Sequence, residues 1–303
     1  MRRSEEIGRY AKLGDMDRLV QALSWRGESG QWNDPRSCLV STVRYASENG
    51  HLEVVRVLLA WRGPTGQWLD PRSNYNAAVR NASENGHLDV VQALLEWTGP
   101  GGEWVDPRVW NHEAVRYASR NGHLKVVRAL LEWTGPAGEW VDPRFAANAA
   151  VRYASEHGHL KVMRALLDWT GPGGEWVNPR QLGNEAVKYA SWKGRTDMVR
   201  ALLEWTGPGD EWVDPREGDN EAVRVASCKG HTDIVQALLV WRGPGGECVD
   251  IATARAWTDR VEIFLLCDEE ESLRAGWSLF RRTWVGAVMR GVATRVRPDA
   301  LKV

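Results

Sequence analysis

Long apolar runs are missing from this chain of 303 residues, and so is a dominant charge of either sign. No stretch approaches the ~20 consecutive apolar residues of a membrane helix, and the start MRRSEEIGRYAK lacks the apolar core of a signal peptide. A net charge of −1 removes any global electrostatic case for nucleic acid or an anionic membrane. The four cysteines, Cys38, Cys228, Cys248 and Cys267, show no CxxC spacing, so neither a disulfide framework nor a zinc site is indicated. Scattered thiols suit a reducing compartment, and cytoplasm or nucleus is the expected location. Catalytic signatures are absent as well. There is no Ser-His-Asp or Cys-His grouping, no HExxH run and no phosphate-cradling glycine loop. Nothing here points to an enzyme or to a cofactor.

Tryptophan, by contrast, is abundant, with 18 copies, and its placement is periodic. The stretch LLEWTGPGGEWVDPR at 94–108 recurs every 36 residues without an insertion. Trp25, Trp61, Trp97, Trp133, Trp169, Trp205 and Trp241 form one column. Trp32, Trp68, Trp104, Trp140, Trp176 and Trp212 form a second, which Cys248 completes. A fixed period of this size marks a solenoid, in which each unit contacts only its neighbours. Tryptophans 36 apart should then meet across the stack, each column forming a ladder. Stacking platforms for single-stranded nucleic acid are the competing reading, opposed by a net charge of −7 over residues 1–271.

Unit 109–144 shows how each copy folds. HEAVRYASRN presents Ala114, Val115, Tyr117 and Ala118 as the small-to-apolar face of a first helix, which Gly122 ends. LKVVRALLEW places Leu124, Val127, Leu130 and Leu131 along one stripe of a second. Neither helix buries its stripe alone, so the pairs must stack. The segment NGHLKVVRALLE and the VDPR turn at 141–144 resemble the ankyrin repeat family. Two departures stand out: Glu113-Ala114-Val115-Arg116 replaces the usual TPLH opening, and WTGPGGEW lengthens the loop between repeats. The resemblance covers residues 37–252 well. It implies an all-α helical-repeat solenoid with an atypical N-terminal cap at 1–36, six repeats over 37–252 and a C-terminal helical cap at 253–303.

Gly8 and Tyr10 stand in helix columns of unit 1–36 and suggest a damaged first helix there. At the other end Leu273, Trp277, Phe280, Trp284, Val288, Val292 and Val296 trace an apolar stripe through a basic segment. That stripe is expected to seal the last repeat. The alternative is a localisation device, with the same helix docking on anionic membrane or an acidic partner.

Most fixed charged columns read as structural. Arg36, Arg72, Arg108, Arg144, Arg180 and Arg216 have acids two residues away, and Arg44, Arg80 and Arg152 have Glu48, Glu84 and Glu156 one helical turn on. The histidines that follow the turn glycine lie a repeat apart and cannot converge on a metal.

Uniformity collapses for three residues after each DPR: SNY at 73–75, VWN at 109–111, FAA at 145–147, QLG at 181–183. In the ankyrin family the matching segment, with the exposed end of the first helix, lines a concave binding face. The resemblance therefore implies a partner-protein surface at Asn74, Tyr75, Val109, Trp110, His112, Phe145, Gln181 and Leu182, with Arg120 and Trp192 at helix ends. The expected role is a monomeric scaffold or adaptor that binds a partner protein, without nucleic acid, metal or membrane. Helix pairs about 10 Å apart would space Tyr75, Trp110 and Phe145 along that surface.

Overall fold

The computed structural model describes residues 2–27, 31–38, 41–258, 260 and 262–275. Small and branched residues set the plan of each repeat. Ala114, Val115 and Ala118 recur at helical spacing and are fully buried, as are Val127 and Leu130 of the following helix, with Val126 almost so. A helix lined by alanine lets its neighbour approach closely. The first helices accordingly pack more intimately on one another than the second helices do.

The pairs follow in strict order. They are α1 (Arg2–Leu13) with α2 (Met16–Ser24), α3 (Ser41–Glu48) with α4 (Leu52–Ala60), and α5 (Ser73–Glu84) with α6 (Leu88–Leu95). Then come α7 (Val109–Arg120) with α8 (Leu124–Glu132), α9 (Phe145–His157) with α10 (Leu160–Leu167), α11 (Gln181–Trp192) with α12 (Thr196–Leu203), and α13 (Glu217–Lys229) with α14 (Thr232–Val240). A short α15 (Ile251–Ala256) follows, and the chain is helical again over 262–275.

Each helix pair turns at a glycine with positive φ. Gly122 has φ +79°, and a Cβ added there would lie 2.5 Å from the ring of His159. Both facts demand glycine. The histidine column explains itself in the same place: the Nε2–H of His123 donates to the carbonyl of Glu84 at 2.9 Å, and that of His87 to Glu48 at 3.1 Å. Carbonyls left over at the end of one first helix are thus satisfied by the next repeat.

The long loop is a small hairpin. Thr98 bridges Trp104, and the Gly99 N–H donates to the Glu103 carbonyl at 2.7 Å. In one unit the pairing extends to two strands, β1 (Thr206–Gly207) and β2 (Glu211–Trp212). The Glu103 carboxylate accepts the Gly101 N–H at 2.8 Å and closes the tip.

The tryptophans pair across the two columns, which corrects the expectation of a ladder within each. Trp68 meets Trp97 with centroids 5.4 Å apart, Trp104 meets Trp133 at 5.5 Å, and Trp140 meets Trp169 at 5.4 Å. The reason is the hairpin: it carries the second tryptophan of one unit forward until it faces the first tryptophan of the next. Each loop is thereby clasped to its successor.

Both ends differ from expectation. α1 is an intact helix: Ile7 and Ala11 are fully buried one turn apart, and Gly8 is buried beside them with open space where a Cβ would lie. At the far end Ile263, Cys267 and Glu270 are buried, whereas Leu273 is about half exposed. Arg274 adds polar contacts at this end: its guanidinium donates to the carbonyls of Val249 and Leu239 at 2.9 Å each and pairs with Glu270 at 2.9 Å. The remainder of the proposed stripe, from Trp277 onward, lies outside the described residues. No described helix is long and apolar enough to cross a membrane.

Candidate functional site

The variable triplets occupy an unusual backbone. After Arg108, residues Trp110, Asn111 and His112 all adopt left-handed φ of 55–57°. Asn74, Tyr75 and Asn76 do the same, as do Ala146, Ala147 and Asn148 and the matching residues of the next two units. The His112 N–H donates to the Arg108 carbonyl at 2.9 Å, which makes one turn of left-handed helix before the right-handed helix begins. Such φ values cost about 1–2 kcal/mol for each non-glycine residue, so something outside the triplet must hold them.

Two devices do so. Below the tip, the Asp106 carboxylate accepts the backbone N–H of Arg108 and its guanidinium, each at 2.9 Å, and this pairing recurs at Asp70, Asp142 and Asp214. Where Asn178 replaces the acid, Arg180 turns to Glu211 of the next unit at 3.0 Å. Above the tip, the fourth residue bonds to the next repeat: Asn148 Nδ2 donates to the Asn178 carbonyl at 2.9 Å, and Asn184 Nδ2 to that of Asp214 at 3.1 Å. Asparagine suits the position because it tolerates left-handed φ and carries the bonding group on a short arm.

His112 holds that same column, and it is buried rather than on the surface the sequence assigned it to. Its Nδ1 accepts the Asp142 N–H at 3.0 Å, and its ring stacks on Phe145 with centroids 4.2 Å apart. Burial depresses its pKa to about 4, so the ring is neutral at physiological pH, as an acceptor Nδ1 requires.

The other assigned residues lie at or near the surface. Tyr75, Trp110, Phe145 and Leu182 are exposed to 66%, 57%, 43% and 55%, large values for residues of this kind. Asn74 and Gln181 are exposed and Val109 is half-buried. The tips are not separate posts. Tyr75 and Trp110 touch edge to face with centroids 5.7 Å apart, and the Arg80 guanidinium lies 5.2 Å over the Trp110 ring. At the opposite end of the first helices, Arg120 is exposed, and Trp192 is exposed beneath the Lys193 ammonium, 4.2 Å from the ring centre. These two do not join the aromatic row.

The second basic column pairs differently from expectation. Arg44 does reach Glu48 one turn on, at 3.0 Å. Arg80 instead pairs with Glu113, Arg152 with Glu185 and Lys188 with Glu221, each an acid 33 residues along in the following repeat. Stacking brings these side chains closer than the helical turn does. Comparing columns at an offset of 33 would have found the partners in the sequence.

The family model "Ankyrin repeats (3 copies)" matches residues 43–137 and again 117–210. Among solved structures, the human ASB11 ankyrin repeat domain superposes with a TM-score of 0.50 at 20% identity, covering 75% of this chain and 97% of that one. An ankyrin repeat family protein from Legionella pneumophila gives a TM-score of 0.31 at 19% identity, covering 82% and 88% respectively. None of the curated proteins compared with the chain matches it.

Proposed function

The chain belongs to the ankyrin repeat family, and from that premise we propose that it is a non-catalytic scaffold or adaptor that grips a partner protein along its left-handed tips and first helices. Ankyrin repeats are generally protein–protein interaction modules. The observation that carries the reading is the contrast in exposure within one repeat. Positions identical from unit to unit are largely turned inward or paired, while the freely varying tips hold Tyr75, Trp110, Phe145 and Leu182 out in solvent. Large apolar side chains kept in water by a strained backbone fit an interface cluster better than a fold requirement. Arg120 and Trp192 extend the surface toward the far helix ends. Free thiols at Cys228, Cys248 and Cys267 support a reducing location in cytoplasm or nucleus, with the chain acting as a monomer.

The test is the triple variant Tyr75→Ala, Trp110→Ala and Phe145→Ala, used beside wild type as bait in a native lysate. Partner capture should vanish while the thermal midpoint shifts by no more than exposed substitutions usually cause, about 0.5 kcal/mol per site. Capture that survives, or a collapse in stability, would sink the reading.

A further inference from the structure

Across the first-helix face, one basic residue per repeat recurs as Arg44, Arg80, Arg116, Arg152, Lys188 and Arg224. All but one of them are provided for. Arg44 has Glu48 at 3.0 Å, and Arg80, Arg152 and Lys188 have an acid of the next repeat. Arg224 has Glu221 at 3.5 Å and the Trp257 ring at 5.4 Å. Among the described residues Arg116 has no acid within ion-pair distance, and its ring contact is a long one, with the Tyr117 centroid 6.0 Å away. The position 33 residues along, where its neighbours find glutamate, is Ala149, and the position one turn on is Arg120. Glu113, three residues back, is taken up by Arg80 and the Tyr117 hydroxyl. Glu84 and Glu156 of the adjoining units stand in the column of Arg120, and Lys193 holds Glu156 at 3.6 Å. What Arg116 does touch is the tip itself, its Nη1 lying 3.4 Å from the carbonyls of Trp110 and Asn111, while its Nε is buried with no acceptor.

A half-buried guanidinium with no carboxylate among the described residues, in a column whose other members each have one, is a vacancy of charge. It lies against the most prominent aromatic tip. Resting on the interaction reading above, we propose that Arg116 is the anchor for one carboxylate, an Asp or Glu side chain of a partner protein. An apolar side chain of the same segment would lie on the Tyr75–Trp110 edge. The recognised chemistry is thus an acidic residue close in sequence to a bulky apolar one, and Arg120 adds to the attraction. Bidentate geometry favours arginine here over lysine.

A random short-peptide library displayed on phage and selected on the immobilised full chain tests this, with the recovered peptides then measured by fluorescence anisotropy. The peptides should share an Asp or Glu near an apolar residue. Their Kd should rise about tenfold or more for Arg116→Gln, and equally for Ala149→Glu, which supplies the missing internal partner without removing any group. Arg152→Gln should change Kd by less than about threefold, because Glu185 already occupies that guanidinium. Peptides without an acid, peptides whose Asp→Asn analogues bind equally well, or indifference to Ala149→Glu would overturn the carboxylate assignment while leaving the binding face intact. Peptides that bind the triple tip variant as tightly as wild type, or failure to select any, would bring down the face and the anchor together.

Discussion

The two edges of a repeat obey opposite rules. On the hairpin edge the three units over 73–180 use the same tryptophan pair, the same glycine turn and the same carboxylate closing the tip. On the tip edge the backbone is just as uniform, yet the side chains run from Ala146-Ala147 to Trp110-Asn111. Identity of sequence and identity of conformation therefore part company within about ten residues. Side chains dictate the conformation at the hairpin. At the tip the conformation is imposed from below by the Asp–Arg pair and from above by the asparagine column, which frees the side chains between them.

Four substitutions put that contrast under strain. Trp133→Ala removes half of one clasp and should cost the most, about 3 kcal/mol, read as a drop in the denaturation midpoint. Trp110→Ala, equally large in volume, should cost almost nothing by the same measurement. Equal losses would erase the distinction between the edges. Gly122→Ala should cost about 2 kcal/mol, since positive φ and the His159 ring both resist a Cβ, and relaxation of that ring decides the figure. A dependence on pH sharpens the case for the anchor column. With the His112 pKa lowered from 6.5 to about 4, the unfolded chain takes up a proton in that window that the folded chain refuses. Its contribution to stability is full above pH 6.5 and is lost as pH falls toward 4. His112→Asn, the residue of the neighbouring tips, should flatten that part of the stability–pH curve in denaturant titrations.

Much of this was legible in the residues. The 36-residue period, the glycine turns and the alternation of apolar positions specify the helix pairs, because local spacing and burial are read from one unit at a time. Two features were not. The cross-column tryptophan pairs depend on how far a hairpin throws its second strand, a length that no column displays. The burial of His112 depends on three successive left-handed residues, and only asparagine in the neighbouring units hints at such a backbone. Exposure of Tyr75, Trp110 and Phe145 was foreseeable from their variability, whereas the missing carboxylate beside Arg116 shows only when columns are compared at the offset of 33 that stacking sets, which puts Ala149 where the neighbours have glutamate.

The left-handed turn has one last consequence. Since its geometry is dictated by anchors, its own third residue among them, and its first position tolerates alanine, leucine or tryptophan alike, the triplet that ends on its second residue behaves as an exchangeable cassette. Moving the triplet 109–111 into the frame at 181–183 should relocate the aromatic grip two repeats along with the scaffold unaltered. A lineage or an engineer can thus rewrite what the protein holds without revisiting how it folds.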